Sequence, residues 1–175
     1  MIDFQSGYIL RPVNRLFIYF SLFCALLLNL LPLGNSAWVP DFLVIALIFW
    51  NIHQHRLIGV IVAFALGLLM DVHNSDLLGI HAFSYSLAAY LAVTWHRRIM
   101  ALPVISQSLH IAPLFLLVAL FPPLTHWFLS TTIYWWAIGG GVLQAVIEAL
   151  FWPLATRVLL APQRRPLHID HTRPL

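Results

Sequence analysis

Apolar residues in this chain come in long runs, and its few polar residues collect in the gaps between them. The first run, Leu16 to Leu33, is interrupted only by Ser21 and Asn29. At 1.5 Å per residue it is just long enough to cross a hydrocarbon core. Pro32, Gly34, Asn35 and Pro40 then break the helix, and Trp38 stands where tryptophan favours a membrane interface. Phe42 to Ile52 is ended by His53-Gln54-His55-Arg56, and Leu57 to Met70 by Asp71. Both runs are short for a full span, so a single long helix or a re-entrant hairpin is the competing reading.

The arginines decide between these readings. If residues 42–70 cross twice, Arg11 and Arg15, Arg56, Arg97 and Arg98, and then Arg157, Arg164, Arg165 and Arg173 all fall on one side. By the positive-inside rule that side is the cytoplasm. Six spans result, at about 16–33, 42–53, 57–71, 77–95, 104–121 and 135–160, with both termini cytoplasmic. In the fourth, Ser75 or Asp76 is placed to cap the first turn. The fifth is expected to kink at Pro113 and stop at Pro122-Pro123. An outer loop with Thr125, His126, Trp127, Thr131, Tyr134, Trp135 and Trp136 then resembles an aromatic belt. Residues 1–160 read as one transmembrane helical domain, and residues 161–175, rich in proline and arginine, as a disordered cytoplasmic tail.

Composition supports a polytopic membrane protein of the all-α class. Of 175 residues, 61% are hydrophobic and 9% charged, against roughly 25% charged in soluble domains. The nine basic side chains are all arginine and stand between apolar runs without forming a patch, which argues against nucleic acid as a partner. Arg11 and Arg15 before an apolar run suggest a signal peptide, but the run exceeds a typical h-region and its cleavage site is poor. It is read as a retained helix. Cys24 is the one cysteine and allows no intrachain disulfide.

Candidate chemistry is sparse. Asp71, His73, Asp76 and His81 share one hinge, where a metal site, a solvated turn with a helix cap and a polar contact with a partner or ligand are the alternatives. Their spacing matches no established ligand motif, so no metal and no other cofactor is expected. Asp71 directly follows Gly-Leu-Leu-Met at a helix end, where the exposed carbonyls already carry negative charge, so it needs donors; Asn74 and Ser75, with their backbone amides, are the nearest. Glu148 falls in mid-span, where an uncompensated charge is costly, and Gln144 lies one turn before it on the same face. It reads as satisfied within the bundle, as a partner contact, or as a step in proton transport. Gly139, Gly140 and Gly141, and in the third span Gly59, Ala63 and Gly67, make small-residue faces that permit close helix approach. With Gly79 they are the packing candidates, and Asp41, Asp71, Asp76, Gln144 and Glu148 are the candidate polar contacts. No phosphate loop, G-x-S-x-G or H-E-x-x-H is present, and no catalytic residue is assigned.

Several stretches resemble a known family. They are Trp38-Val39-Pro40-Asp41-Phe42-Leu43, Phe49-Trp50 before a basic turn, and Gly67-Leu68-Leu69-Met70-Asp71 leading through Leu78-Gly79 into Ala88-Ala89-Tyr90-Leu91. Gly141-Val142-Leu143 through Leu150-Phe151-Trp152-Pro153 resembles a last helix. Together they resemble the bacterial rod shape-determining protein MreD family. That resemblance implies a non-catalytic inner-membrane scaffold of the cell-wall elongation machinery, with the bitopic protein MreC as partner, and with MreB, RodA and the elongation penicillin-binding transpeptidase as further ones. It also implies a six-helix bundle similar to the substrate-binding subunits of energy-coupling-factor transporters. The alternative function is therefore a vitamin-like small-molecule binding subunit of a transporter. A histidine- and proline-rich tail and the absence of lysine depart from the family pattern.

Overall fold

The computed structural model describes residues 2–3, 8–10, 14–31, 39–130 and 135–166. Six helices follow one another: α1 Arg15–Leu30, α2 Phe42–His53, α3 Val60–Asn74, α4 Ile80–Met100, α5 Val104–Ser130 and α6 Trp135–Leu160. A small antiparallel sheet joins the two ends of the chain, with β1 Ile2–Asp3 beside β2 Tyr8–Leu10, and β2 beside β3 Arg164–Pro166. The all-helical expectation is thus met by the bundle, and of the residues 161–175 read as a tail only 161–166 are described. Ala161–Gln163 form a 3-10 turn and Arg164–Pro166 the third strand. Trp38, Thr131, Tyr134, Arg11 and residues 167–175, which figure in the sequence reading, lie outside the described residues.

The helices run up and down. The α2–α3 turn meets the end of α4, where the His55 and His96 rings lie 4.8 Å apart. At the opposite end the α3–α4 hinge meets the end of α5, with His126 Nε2 3.4 Å from Asp76 Oδ1. α5 and α6 are long and apolar enough to cross a membrane; α1, α2 and α3 are apolar but shorter.

Helix α2 is the centre of the bundle. Leu43 through Ile52 are all buried, and a helix that is apolar all round is stable only when surrounded. Its neighbours are α1, α4 and α6. An aromatic column runs through this core: Phe17 of α1 meets Trp50 edge-on at 6.1 Å, Phe49 meets Trp50 at 5.0 Å, and Trp152 of α6 lies 6.0 Å from Phe49 and 6.2 Å from Phe115 of α5. Two indoles find acceptors, Trp50 Nε1 donating to Ser21 Oγ at 2.8 Å and Trp152 Nε1 to Gln107 Oε1 at 3.3 Å. Buried tryptophans usually need such partners. Large apolar side chains such as Phe20, Phe23, Ile61, Leu150 and Val158 face outward, as a lipid-facing surface requires.

Helix α5 does not stop at Pro122-Pro123; it continues for 27 residues in all to Ser130, with three prolines inside. That is about 40 Å, and it takes Thr125, His126 and Trp127 from the expected loop into the helix. Proline lacks an N–H, so Pro123 leaves the carbonyl of Ala119 without its helical donor. That carbonyl faces Gly141 of α6: a Cβ built on Gly141 would lie 2.8 Å from Ala119 O. The backbones of α5 and α6 therefore approach closely beside the proline pair.

Candidate functional site

Two polar clusters occupy the half of the bundle that contains the α3–α4 hinge. The first is built around Asp71. Its carboxylate is fully buried and faces the first turn of the next helix: Oδ2 accepts from Gly79 N at 2.8 Å and Ala82 N at 3.3 Å, and Oδ1 from His81 N at 2.7 Å. The His81 ring adds Nδ1 at 3.0 Å. Helix α4 has no side-chain cap of its own, since its N-cap is Gly79 at φ 107°. Asp71 supplies that cap from the preceding helix. The positive end of α4 thereby offsets what the negative end of α3 makes unfavourable. The expected donors Asn74 and Ser75 are not the ones used, and neither Ser75 nor Asp76 caps α4. Ser75 instead ends α3 in the left-handed conformation, at φ 56°.

Glycine is required twice here. Gly79 occupies a φ that side chains rarely adopt. Gly67 packs so tightly on α4 that a Cβ would come 2.4 Å from Ala82 Cα and 2.6 Å from Ala82 N. That close approach brings the end of α3 near enough for Asp71 to reach the α4 amides. Asp76, the next acid along, is partly exposed and lies between His126 and His81, 3.9 Å from the latter's Nδ1. Among the described residues no three of His, Cys, Asp and Glu converge as metal ligands.

The second cluster surrounds the N-terminus of α2. Asp41 caps that helix, Oδ1 accepting from Val44 N at 2.9 Å. Asn29 of α1 donates from Nδ2 to Asp41 Oδ1 at 2.6 Å and accepts from Phe42 N at 3.0 Å. Tyr85 of α4 donates its hydroxyl to Asp41 Oδ2. Glu148 of α6, 1% exposed, accepts the Asp41 N–H on Oε1 at 2.9 Å, and Gln144 donates to the same oxygen at 3.0 Å. Four helices thus meet on one helix start. A short helix that begins level with the middle of α6 places its first amides within the bundle, where each gains from a protein acceptor. Asp41, Asn29 and Glu148 supply these acceptors.

The structure brings Asp41, Gln144 and Glu148 together and leaves Asp71 and Asp76 in the separate hinge cluster. His110, another polar residue of the helical segments, lies elsewhere on α5, its Nδ1 2.9 Å from Ser106 O. Tyr85 was missed by sequence reading, because an alanine-rich helix gives no sign that one tyrosine points at a buried carboxylate. Of the glycines, Gly67 and Gly141 mark close contacts, whereas Gly59 and Gly139 have open space where a Cβ would stand. Gly140 is partly buried. At the other end of the bundle, partial desolvation, with His96, Arg56 and Arg97 nearby, holds the His55 pKa below the ordinary histidine value.

These clusters link helices and leave no free nucleophile beside a base. Comparison with known proteins then decides the family. The sequence model for rod shape-determining protein MreD matches residues 10–160. The chain belongs to the MreD family. A rod shape-determining protein MreD from Haemophilus influenzae is 26% identical over 122 residues, which cover 70% of this chain and 74% of that protein. No solved structure matches the chain. Membership makes this a membrane protein of the rod-shape machinery, from a family that acts in determining cell shape and is not known for catalysis. The matched region contains both polar clusters and the Gly67 and Gly141 contacts.

Proposed function

We propose that this protein is a non-catalytic, six-span scaffold of the bacterial inner membrane that supports cell-wall elongation by binding MreC and, through that assembly, MreB, RodA and the elongation penicillin-binding transpeptidase. The observation that carries the reading is that the buried carboxyl groups are spent on joining helices. Asp41, Asn29, Tyr85, Gln144 and Glu148 join α1, α2, α4 and α6, and Asp71 joins α3 to α4. What the bundle offers outward is apolar helix surface, on which other membrane helices pack by close contact and a few polar bonds.

The arginines support an orientation. Arg15, Arg56, Arg97, Arg98 and Arg157 all lie at helix ends on one side of an up-and-down bundle, and that side is cytoplasmic under the positive-inside rule. α2 and α3 cross as short helices, α2 because its capped start lies within the bundle. A kinship with the six-helix substrate-binding subunits of energy-coupling-factor transporters is part of this proposal and rests on the count and order of helices. The test is affinity purification of the full chain from native membranes. Recovery of cell-wall synthesis proteins supports the reading, and recovery of an ATPase module in their place assigns the protein to transport.

A further inference from the structure

A cavity of about 390 Å³ opens between the end of α4 and the start of α5, lined by Trp95, Arg98, Ile99, Leu109, His110 and Pro113. That volume falls in the range of roughly 300–1,000 Å³ usual for small-ligand clefts. Its chemistry is graded. Arg98 lies in the last turn of α4, beside the short connection at residues 101–103, and among the described residues its guanidinium has no hydrogen-bond or ion-pair partner. His110 and Pro113 stand six and nine residues into α5, about 9 and 13 Å along its axis. Leu109 is 75% exposed and continues the apolar side of the cavity outward.

Two acceptors accompany the cation. The His110 ring donates from Nδ1 to the Ser106 carbonyl at 2.9 Å, which leaves Nε2 as an acceptor in the neutral ring. Pro113 has no N–H, so the carbonyl of Leu109 is without its helical donor. A ligand fitting this set has an anionic group for Arg98, hydroxyl donors for Nε2 and the carbonyl, and an apolar body that continues along exposed Leu109. The ring of Trp95 is of the kind that favours headgroup depth, and basic clefts between membrane helices are a recurrent way of holding lipid headgroups.

We propose that this cavity seats one phosphatidylglycerol-type lipid, its phosphodiester on Arg98 and its glycerol hydroxyls toward His110 and the Leu109 carbonyl. The site needs only that the α4–α5 connection lies at a membrane surface, so it stands or falls independently of the partner reading above. Arg97, exposed but outside the cavity, is the control for loose surface attraction.

Native mass spectrometry of the full-length protein in detergent tests this, with phosphatidylglycerol, phosphatidylcholine and free glycerol phosphate as probes. One phosphatidylglycerol should be retained in preference to phosphatidylcholine. Arg98→Gln should weaken its binding about fivefold, the effect of losing one arginine near an anionic lipid, while Arg97→Gln leaves it unchanged. Filling the cavity with Leu109→Trp should abolish retention, and if that variant fails to fold, the arginine pair decides alone. Equal retention of the two lipids, equal loss in both arginine variants, or glycerol phosphate binding as well as the lipid would each overturn the proposal.

Discussion

The backbone N–H of Asp41 donates to Glu148 Oε1 at 2.9 Å across 107 residues of sequence. This one contact ties the start of the central helix to the middle of the last one. It also explains why a carboxyl is kept in an apolar stretch: the first amides of α2 have no intrahelical acceptors, and Glu148 supplies one.

Replacing Glu148 with Gln keeps an oxygen where both donors point and should shift stability by less than about 1 kcal/mol. Glu148→Leu leaves the Asp41 amide and Gln144 without their acceptor, at a cost of about 1–3 kcal/mol. Thermal melting in detergent checks this. Equal melting points for the two variants would show that the contact contributes nothing.

Asp71 receives three backbone amides and the His81 ring. Asn offers one acceptor oxygen and turns an NH₂ toward donors, so Asp71→Asn should cost about 1.5–3 kcal/mol, the range for hydrogen bonds to a charged group. Hydrogen exchange should show the first turn of α4 losing protection before the rest of that helix. Unchanged protection at Gly79, His81 and Ala82 would contradict the capping role.

Glycine tolerance should follow the contacts rather than the glycine run. Gly67→Ala must push α3 away from the α4 backbone, and Gly141→Ala must push α6 away from Ala119, each costing about 1–3 kcal/mol. Gly139→Ala meets nothing and should be neutral or stabilising. Melting points in the reverse order would mean that the helices pack on another face.

Topology is checked by cysteine labelling in a Cys24→Ser background. A cysteine at position 75 should react with an impermeant reagent from outside, and one at exposed position 161 only after the membrane is opened. Protection of the first or outside labelling of the second would contradict six crossings.

Much of the fold was legible because apolar runs and their breakers are local. The bounds of α2 and α6 coincide with the runs at 42–53 and 135–160. Where reading failed, the cause lay at a distance. Pro122-Pro123 looked like a stop, since nothing local reveals that α6 packs closely on this part of α5 at Gly141. The donors of Asp71 come from beyond the hinge, eight to eleven residues on, because Gly67 lets α4 come close. Glu148 and Gln144 could be paired from their spacing alone, but Asp41, Asn29 and Tyr85 could not be added, since each lies on a different helix. The run Gly139-Gly140-Gly141 pointed to a packed face without saying that Gly141 touches the neighbouring backbone while Gly139 does not.

The central claim is that this protein acts through a packed bundle that binds other proteins, with no chemistry or charge transfer at its buried carboxyl. The most direct measurement is cell shape in a rod-shaped host lacking its own copy, complemented with Glu148→Gln at the wild-type level in the membrane. The account predicts rods of normal width, since shape and hydrogen bonding are kept and only the ionisable group is gone. Round cells carrying folded, correctly inserted Glu148→Gln protein would contradict it.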